Sequence, residues 1–310
     1  MHNRVEQGMN QEIYETLCDI CGAESVFVQE PMSRHTTFRT GGPADVLVTP
    51  KAEQISRILD VCRKAGQPWT VIGNGSNLLV GDGGIRGVVL EIGRQIAEIE
   101  IDGTSITAGA GAMLSSIASK AAQAALTGME FASGIPGSLG GAVVMNAGAY
   151  GGEMKNILKE VTVLTPEGEL QTLSVEELDL SYRHSIVPER GYLVIQAVLE
   201  LQPGKPEEIQ AIMDDLKEKR VSKQPLEYPS AGSTFKRPEG YFAGKLIQDA
   251  GLRGFQVGGA QVSEKHCGFV INRDHATSAD ICNLMDQVSG IVFKKFGVRL
   301  EPEVKKIGEF

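Results

Sequence analysis

The sequence predicts a mixed fold of helices and strands divided between two domains, and three observations carry that prediction. Stretches with apolar residues at helical spacing are interspersed with stretches of apolar–polar alternation, some joined by hairpin signals. The chain has 310 residues, enough for two domains or for one large domain with an appendage. Its composition changes around Gln224-Pro225-Leu226-Glu227-Tyr228-Pro229, where two prolines interrupt regular structure.

Residues 11–28 place Ile13, Leu17, Ile20 and Cys21 at helical spacing, which predicts an amphipathic helix. Thr37 and Phe38 lead into a Gly41-Gly42-Pro43 turn, and the following ADVLVTP reads as a strand. A helix EQISRILDVCRKAG ends at Gly66, with Arg63 and Lys64 in its last turn, where cations suit the helix dipole. Pro68 to Ile72 is a short apolar strand that runs into Gly73-Asn74-Gly75-Ser76-Asn77 and then a second strand, Leu78 to Val80. Between Ile85 and Thr107 the pattern alternates, and Asp102-Gly103 is a hairpin signal. A helix starting at Met113 should end near Gly128, and another should start near Ser138. Two strands flank a Pro166-Glu167-Gly168 turn; VEELDL reads as helical and SYRHS as a turn after it; Tyr192 to Leu201 is a long strand. Residues 205–221 form a charged helix with Ile209, Ile212, Met213 and Leu216 inward. Beyond the proline break come a helix in YFAGKLIQDAGL, a strand pair near GGAQVSEKHCGFVINR, a long helix from Ser278 to Gly297, and a final strand within VRLEPEVKKIG.

The bulk composition narrows the function. A net charge of -9 argues against a general binder of nucleic acid or anionic membrane, yet permits an anionic small molecule held by a local basic cluster. The first residues hold no apolar run of signal-peptide length, so a cytoplasmic protein is expected. Five scattered cysteines include one C-x-x-C, Cys18 and Cys21, with no second pair at zinc spacing. Two thiols on a helix are the simpler reading, and no metal site is expected.

The stretch from Gly128 to Gly152 has eight glycines in twenty-five residues and no Lys or Arg. Each glycine loses more backbone freedom on folding than any other residue, so such density belongs where backbone turns sharply or approaches a ligand. Ile135, Leu139, Val143, Val144 and Met145 anchor it in a core, and the apolar run is too short and broken to span a membrane. Standard nucleotide fingerprints fail. The G-x-G-x-x-G pattern meets Leu78 after Gly73-Asn74-Gly75 and Leu114 after Gly109-Ala110-Gly111, and no P-loop pattern occurs.

Several segments together are similar to one family. The strand entering GNGSN and LLV, then GIPGSLGGAVVMNAGAYG, SYRHS, AGSTFK and LEPEV, in that order from about Arg34 to Val304, resemble UDP-N-acetylenolpyruvoylglucosamine reductase. The resemblance implies an α+β fold. An FAD-binding p-cresol-methylhydroxylase-type domain of two lobes, with the flavin between them, is expected over residues 34–204 after a helical segment 1–33. A smaller α+β substrate-binding domain is expected over 205–310. It implies NADPH reduction of bound FAD, then reduction of the enolpyruvyl sugar nucleotide to UDP-N-acetylmuramate for peptidoglycan. Partners would be that small molecule and NADPH, with no nucleic acid or membrane, in a monomer or weak homo-oligomer.

For the cofactor, the resemblance points to Gly73, Asn74, Gly75, Ser76, Asn77 and Leu78 from the first glycine element. From the second it points to Gly134, Pro136, Gly137, Ser138, Gly140, Gly141, Ala142, Asn146, Gly148 and Ala149. Their backbone would approach the FAD pyrophosphate and supply N–H donors. FAD is expected to be noncovalent, because neither element holds a His or Cys. The implied catalytic set is Arg183 on the substrate carboxylate, Ser233 as proton donor and Glu303 at the developing enolate, all beside the flavin. Lys223, Lys236, Arg237 and Tyr241, with Gln261 behind them, are expected at the sugar nucleotide. The span from Arg183 to Ser233 leaves no room for the tyrosine-bearing insertion that some relatives carry. Without the motifs, Ser233 reads as a turn serine, Glu303 as an exposed acid and Arg183 as a surface residue. A flavin oxidase of the same cofactor fold and a non-catalytic flavin- or sugar-nucleotide-binding protein are the alternatives.

Overall fold

The computed structural model describes residues 11–310. It separates into two compact units, each assembled from discontinuous stretches. The first holds the residues up to Val28, Val46–Asn74 and Gly87–Arg220; the second holds Gln29–Asp45, Gly75–Arg86 and Val221–Phe310. Both units are discontinuous in sequence, and the first runs on past residue 204 to Arg220. Residues 202–203 pair with 126–127, and Gly204 N–H donates to Ala125 O, which keeps the chain beyond 204 tied to the first unit.

The first unit is built on an antiparallel sheet in the order 170–174, 158–164, 193–200, 105–109, 99–102. Asp102 pairs with Ser105, so the hairpin turns on Gly103 and Thr104, and Gly103 takes the left-handed conformation (φ 57°) that the turn needs. The unit also holds residues 26–28, 46–48, 87–91 and 69–72 of a second sheet, in which Trp69–Ile72 runs parallel to Val88–Glu91. Helices Ala52–Lys64, Leu114–Gln123 and the short Leu139–Val144 bury Ile55, Ile58, Leu114, Ile117, Leu139 and Val143 in one core.

The second unit carries helix Ser278–Phe296, started by a capping box between Thr277 and Asp280 and stopped by Gly297 at φ 71°. The helix lies with an antiparallel sheet 256–257, 260–262, 270–272 and helix Ala243–Asp249. Its core takes Phe38 and Leu79, both fully buried, from far upstream in the sequence. No described helix is long and apolar enough to cross a membrane.

Four local expectations are corrected. The first helix covers only Gln11–Cys21; Gly22, at φ 83°, ends it, and β-branched Val26 and Val28 continue as strand. In helix Pro206–Lys223 only Ile209 is buried, and Ile212 is 45% exposed. The segment VEELDL makes turns, because Ser174 and Glu177 bond each other's side chain and backbone and Asp179 adopts φ 48°. The last strand shrinks to Lys305–Ile307, while residues before it pair elsewhere.

All five cysteines are free thiols, and burial pushes Cys21 and Cys62 up to about 11. An unfolded thiol ionises near about 8.5, so the folded values are raised and their stabilisation is complete below that pH. Stability should then fall as the pH rises from about 8.5 towards about 11, and Cys62→Val should flatten that fall in denaturation midpoints. A thiol reagent applied to the native protein at about pH 8 should leave Cys62 unmodified.

Candidate active site

In the first unit the two glycine elements touch. The Asn74 amide donates to the Pro136 carbonyl at 2.6 Å, and a Cβ on Gly73 would stand 2.4 Å from Ser138 Oγ. Residues 137–140 run alongside 110–114: Leu114 N–H donates to Gly137 O, Leu139 N–H to Ala112 O and Gly140 N–H to Ala110 O. The first two amides of the short helix are therefore spent within the protein, whatever the expectation that this segment offers them to a phosphate. Gly141, one residue on, is exposed, with nothing nearer than 3.8 Å to a side chain placed there. Ala142 is buried in the core; Gly148 backs onto Gly152 and Ala149 pairs with it. Gly134 lies against Arg220, whose Nη1 a Cβ would meet at 2.9 Å, and burial lowers the Arg220 pKa.

Asn146 is 1% exposed and adopts φ 40°. Its amide donates to Glu153 Oε2 (2.8 Å) and to the Ser181 carbonyl (3.1 Å), and its oxygen accepts from Lys155 N–H (2.9 Å). Ser181 opens the SYRHS turn. Ser185, which closes it and is 2% exposed, donates to Val144 O at 2.8 Å. The turn is thus bolted at both ends to the residues that follow helix Leu139–Val144. Ser181 and His184 pair across it, leaving Tyr182 and Arg183 at the tip. Arg183 sits at φ 58°, a left-handed conformation that arginine rarely takes, with its guanidinium over the Tyr182 ring at 5.0 Å. His184 lies 3.3 Å from Asp179 and 3.6 Å from Glu189.

In the second unit the segments that carry Ser233 and Glu303 pair backbone to backbone. Glu303 N–H donates to Thr234 O and Lys236 N–H to Glu301 O, both at 2.8 Å, with Phe235 bridging Pro302 between them. Ser233 is exposed at the end of this ladder, and Glu303 is 9% exposed. On the far side Thr234 N–H donates to Gly268 O (2.9 Å), and Thr234 Oγ1 accepts from Val270 N–H (2.9 Å). Gly268 N–H in turn donates to His266 Nδ1 at 3.1 Å, and burial lowers the His266 pKa, so this buttress is neutral imidazole. The turn Gly75–Asn77 joins from the other direction: Lys305 N–H donates to Asn77 O, and the Asn77 amide to Glu303 O.

The remaining expected contacts scatter over the same unit. Lys236 Nζ lies 3.4 Å from Glu301, Arg237 stacks on Phe242 at 4.0 Å, and Lys223 and Tyr241 are exposed. Gln261 is committed to its sheet and to Gly254 O. Sequence reasoning passed over Thr234, Thr37 and Thr40. Thr234 stands inside AGSTFK and is fully buried. The Thr37 and Thr40 hydroxyls are buried and find no partner among the described residues. They belong to a turn packed on Gly75: Thr37 N–H donates to Gly75 O, and a Cβ on Gly75 would overlap His35 O at 1.9 Å. Three threonines within five residues, just before Gly41-Gly42, were the available signal. Unpaired hydroxyls beside a side-chain-free turn fit a ligand rich in acceptor oxygens, as a dinucleotide's diphosphate is.

The comparisons define the class as a flavoprotein that carries an FAD-binding domain and a reductase C-terminal domain. A family model described as FAD binding domain matches residues 43–174, and one described as UDP-N-acetylenolpyruvoylglucosamine reductase, C-terminal domain, matches residues 224–307. The UDP-N-acetylenolpyruvoylglucosamine reductase of Agathobacter rectalis is 59% identical over 314 residues, covering 97% of this chain and 100% of that one. That of Clostridioides difficile is 52% identical over 301 residues, covering 97% and 99%. The crystal structure of the reductase from Thermus caldophilus matches with a TM-score of 0.78 at 35% identity, covering 91% of this chain and 97% of that one. The chain belongs to the UDP-N-acetylenolpyruvoylglucosamine reductase family.

The left-handed backbone at Arg183 gives a test of its cause. Arg183→Gly should be more stable than Arg183→Ala by about 1 kcal/mol, measured by denaturant unfolding, because glycine takes that conformation without strain. Equal stability would mean that the turn carries no strain at this residue.

Proposed function

We propose that this chain reduces UDP-N-acetylenolpyruvoylglucosamine to UDP-N-acetylmuramate, a peptidoglycan precursor, in the cytoplasm, with NADPH as reductant and noncovalent FAD as carrier. One observation carries the reading. Relatives matched over 97% of the chain bear that reductase name, on a fold whose Ser233 and Glu303 share one backbone ladder. FAD, when bound, accepts a hydride from the nicotinamide and supplies one to the alkene.

The rest of the chemistry falls to side chains of this chain. Hydride arriving at the terminal carbon of the vinyl ether leaves charge on the neighbouring carbon and its carboxylate. Arg183 would take that carboxylate in its fixed fork, which does not deprotonate. Ser233 would give its proton to the carbon. A serine hydroxyl is a weak acid, so the alkoxide left behind needs positive charge nearby, and Lys236, three residues on, would supply it only by leaving Glu301, 3.4 Å from its Nζ. Glu303 would hydrogen-bond at the developing enolate or pass a proton through water. Lys223, Lys236, Arg237 and Tyr241 would receive the diphosphate and uridine, although Lys236 faces Glu301 and Arg237 stacks on Phe242 without the substrate. Gly73 to Ser76 and Leu78, with Pro136, Ser138 and Gly141, would lie along FAD, and the Thr37 and Thr40 hydroxyls would gain the partners they lack.

The purified protein should show a flavin spectrum that anaerobic NADPH bleaches and the enolpyruvyl sugar restores. A colourless protein without releasable FAD overturns the reading. Ser233→Ala should change flavin reduction by NADPH less than about threefold while slowing reoxidation by the sugar about a hundredfold or more. Equal loss in both half-reactions would remove the donor role. Thr40→Val should leave the apoprotein as stable or up to about 1 kcal/mol more stable, since it removes a buried unpaired hydroxyl, yet weaken FAD binding about tenfold. Unchanged FAD affinity would exclude Thr40 from the cofactor site.

A further inference from the structure

Asn77 ends the first glycine element and stands where strand Leu78–Val80 begins. Its amide donates to the Glu303 carbonyl at 3.2 Å, across 226 residues of sequence. Its own carbonyl accepts from Lys305 N–H at 2.9 Å. These two bonds straddle Val304, which is 3% exposed, and lead into the parallel pairing of 78–80 with 305–307. From the opposite side, Glu303 N–H donates to Thr234 O at 2.8 Å. Both peptide groups of Glu303 are therefore pinned, its N–H by the strand that carries Ser233 and its C=O by Asn77. Of these bonds only the one from the Asn77 amide comes from a side chain, so it is the one that substitution can delete while the backbone ladder stays.

We propose that Asn77 is a positioning residue for Glu303: its amide holds the Glu303 backbone on the strand that carries Ser233, and its service to the cofactor is secondary. The proposal rests on the function argued above for Glu303. It departs from the expectation that the Asn77 side chain serves FAD, because one amide N–H is already spent on a protein carbonyl. A glutamate tethered at both peptide groups has only its side-chain torsions left to search, which suits a group that must meet a transient charge.

The test compares the holoenzyme with Asn77→Ala and with Asn77→Asp, which keeps the shape but has no N–H to donate. FAD affinity should stay within about threefold and flavin reduction by NADPH within about twofold, while reoxidation by the enolpyruvyl sugar slows about tenfold or more. Asn77→Ala combined with Glu303→Gln should be no slower than Glu303→Gln alone, since the amide acts through that carboxylate. In the flavin-free protein, amide hydrogen exchange at Glu303 to Lys305 should speed up in both variants. An FAD affinity reduced about tenfold with reoxidation unchanged would make Asn77 a cofactor ligand and overturn the proposal. So would additive losses in the double variant, or unaltered exchange. A wild-type flavin that the sugar fails to reoxidise would overturn the functional reading itself, and this proposal with it. Should Asn77→Ala fail to fold, Asn77→Asp alone decides between these outcomes.

Discussion

Thr234 is completely buried, and its N–H, carbonyl and hydroxyl are all committed. It donates to Gly268, accepts from Glu303 with its carbonyl and accepts from Val270 with its hydroxyl. A polar residue can sit at zero exposure only if its groups are paired, because an unpaired buried donor or acceptor costs about 1–3 kcal/mol. That requirement fixes three strands of chain against one another. Ser233 precedes this residue by one position and Glu303 hangs on its carbonyl, so neither can move far without unpairing it. The arrangement of the candidate site in the second unit is thus an outcome of hydrogen-bond satisfaction in the backbone, and Ser233 and Glu303 are passengers on that ladder. His266 extends the same logic outward, since its neutral ring nitrogen accepts the Gly268 N–H whose own carbonyl supports Thr234.

The first unit repeats the device with a different residue. Asn146 buries an amide that can persist only by bonding Glu153, Lys155 and Ser181 together, and that amide decides where the Arg183 turn begins. The glycines around it answer a packing demand as much as a ligand. A Cβ on Gly111 would lie 1.9 Å from Gly93 O, and one on Gly152 would enter the Phe131 ring at 2.5 Å. The spent amides of Leu139 and Gly140 make the same point. Here glycine lets backbone approach backbone, and the exposed remainder is small, at Asn74, Pro136 and Gly141.

Much of this was legible in the sequence because it is local. The hairpin at Asp102-Gly103, the helix stopped by Gly297 and the tight turn at SYRHS each follow from a few neighbouring residues. The order of GNGSN, SYRHS, AGSTFK and LEPEV was enough for the family, which the relatives then established. What stayed hidden depends on contacts far apart in sequence. Phe38 and Leu79 look like ordinary strand and turn residues, yet they belong to the core of the second unit, and nothing within ten positions of either says so. Ile212 has the spacing of a buried residue on an amphipathic helix, but spacing does not supply a surface to bury it against. Asn146 read as a cofactor contact from its motif, and only the coordinates reveal that its amide is consumed internally.

The chain's order adds a last constraint. Strand Leu78–Val80 pairs in parallel with Lys305–Ile307, and Gly81, Gly83 and Gly84 continue that pairing with Ile307 and Glu309. A parallel pairing over so long a separation carries a large loop-closure entropy, and it forms only after much of the intervening chain has ordered. Residues 78–84 are thus joined to 305–309 by a run of backbone bonds, and Ser278 N–H, which donates to Asp82, adds a second long-range link to the same turn. The glycines at 81, 83 and 84 make that late closure tight, since a Cβ on Gly81 would strike Glu309 O at 1.9 Å. Gly81, Gly83 and Gly84 are therefore placed where distant backbone segments must close on each other, and the acid at 303 inherits its position from that closure.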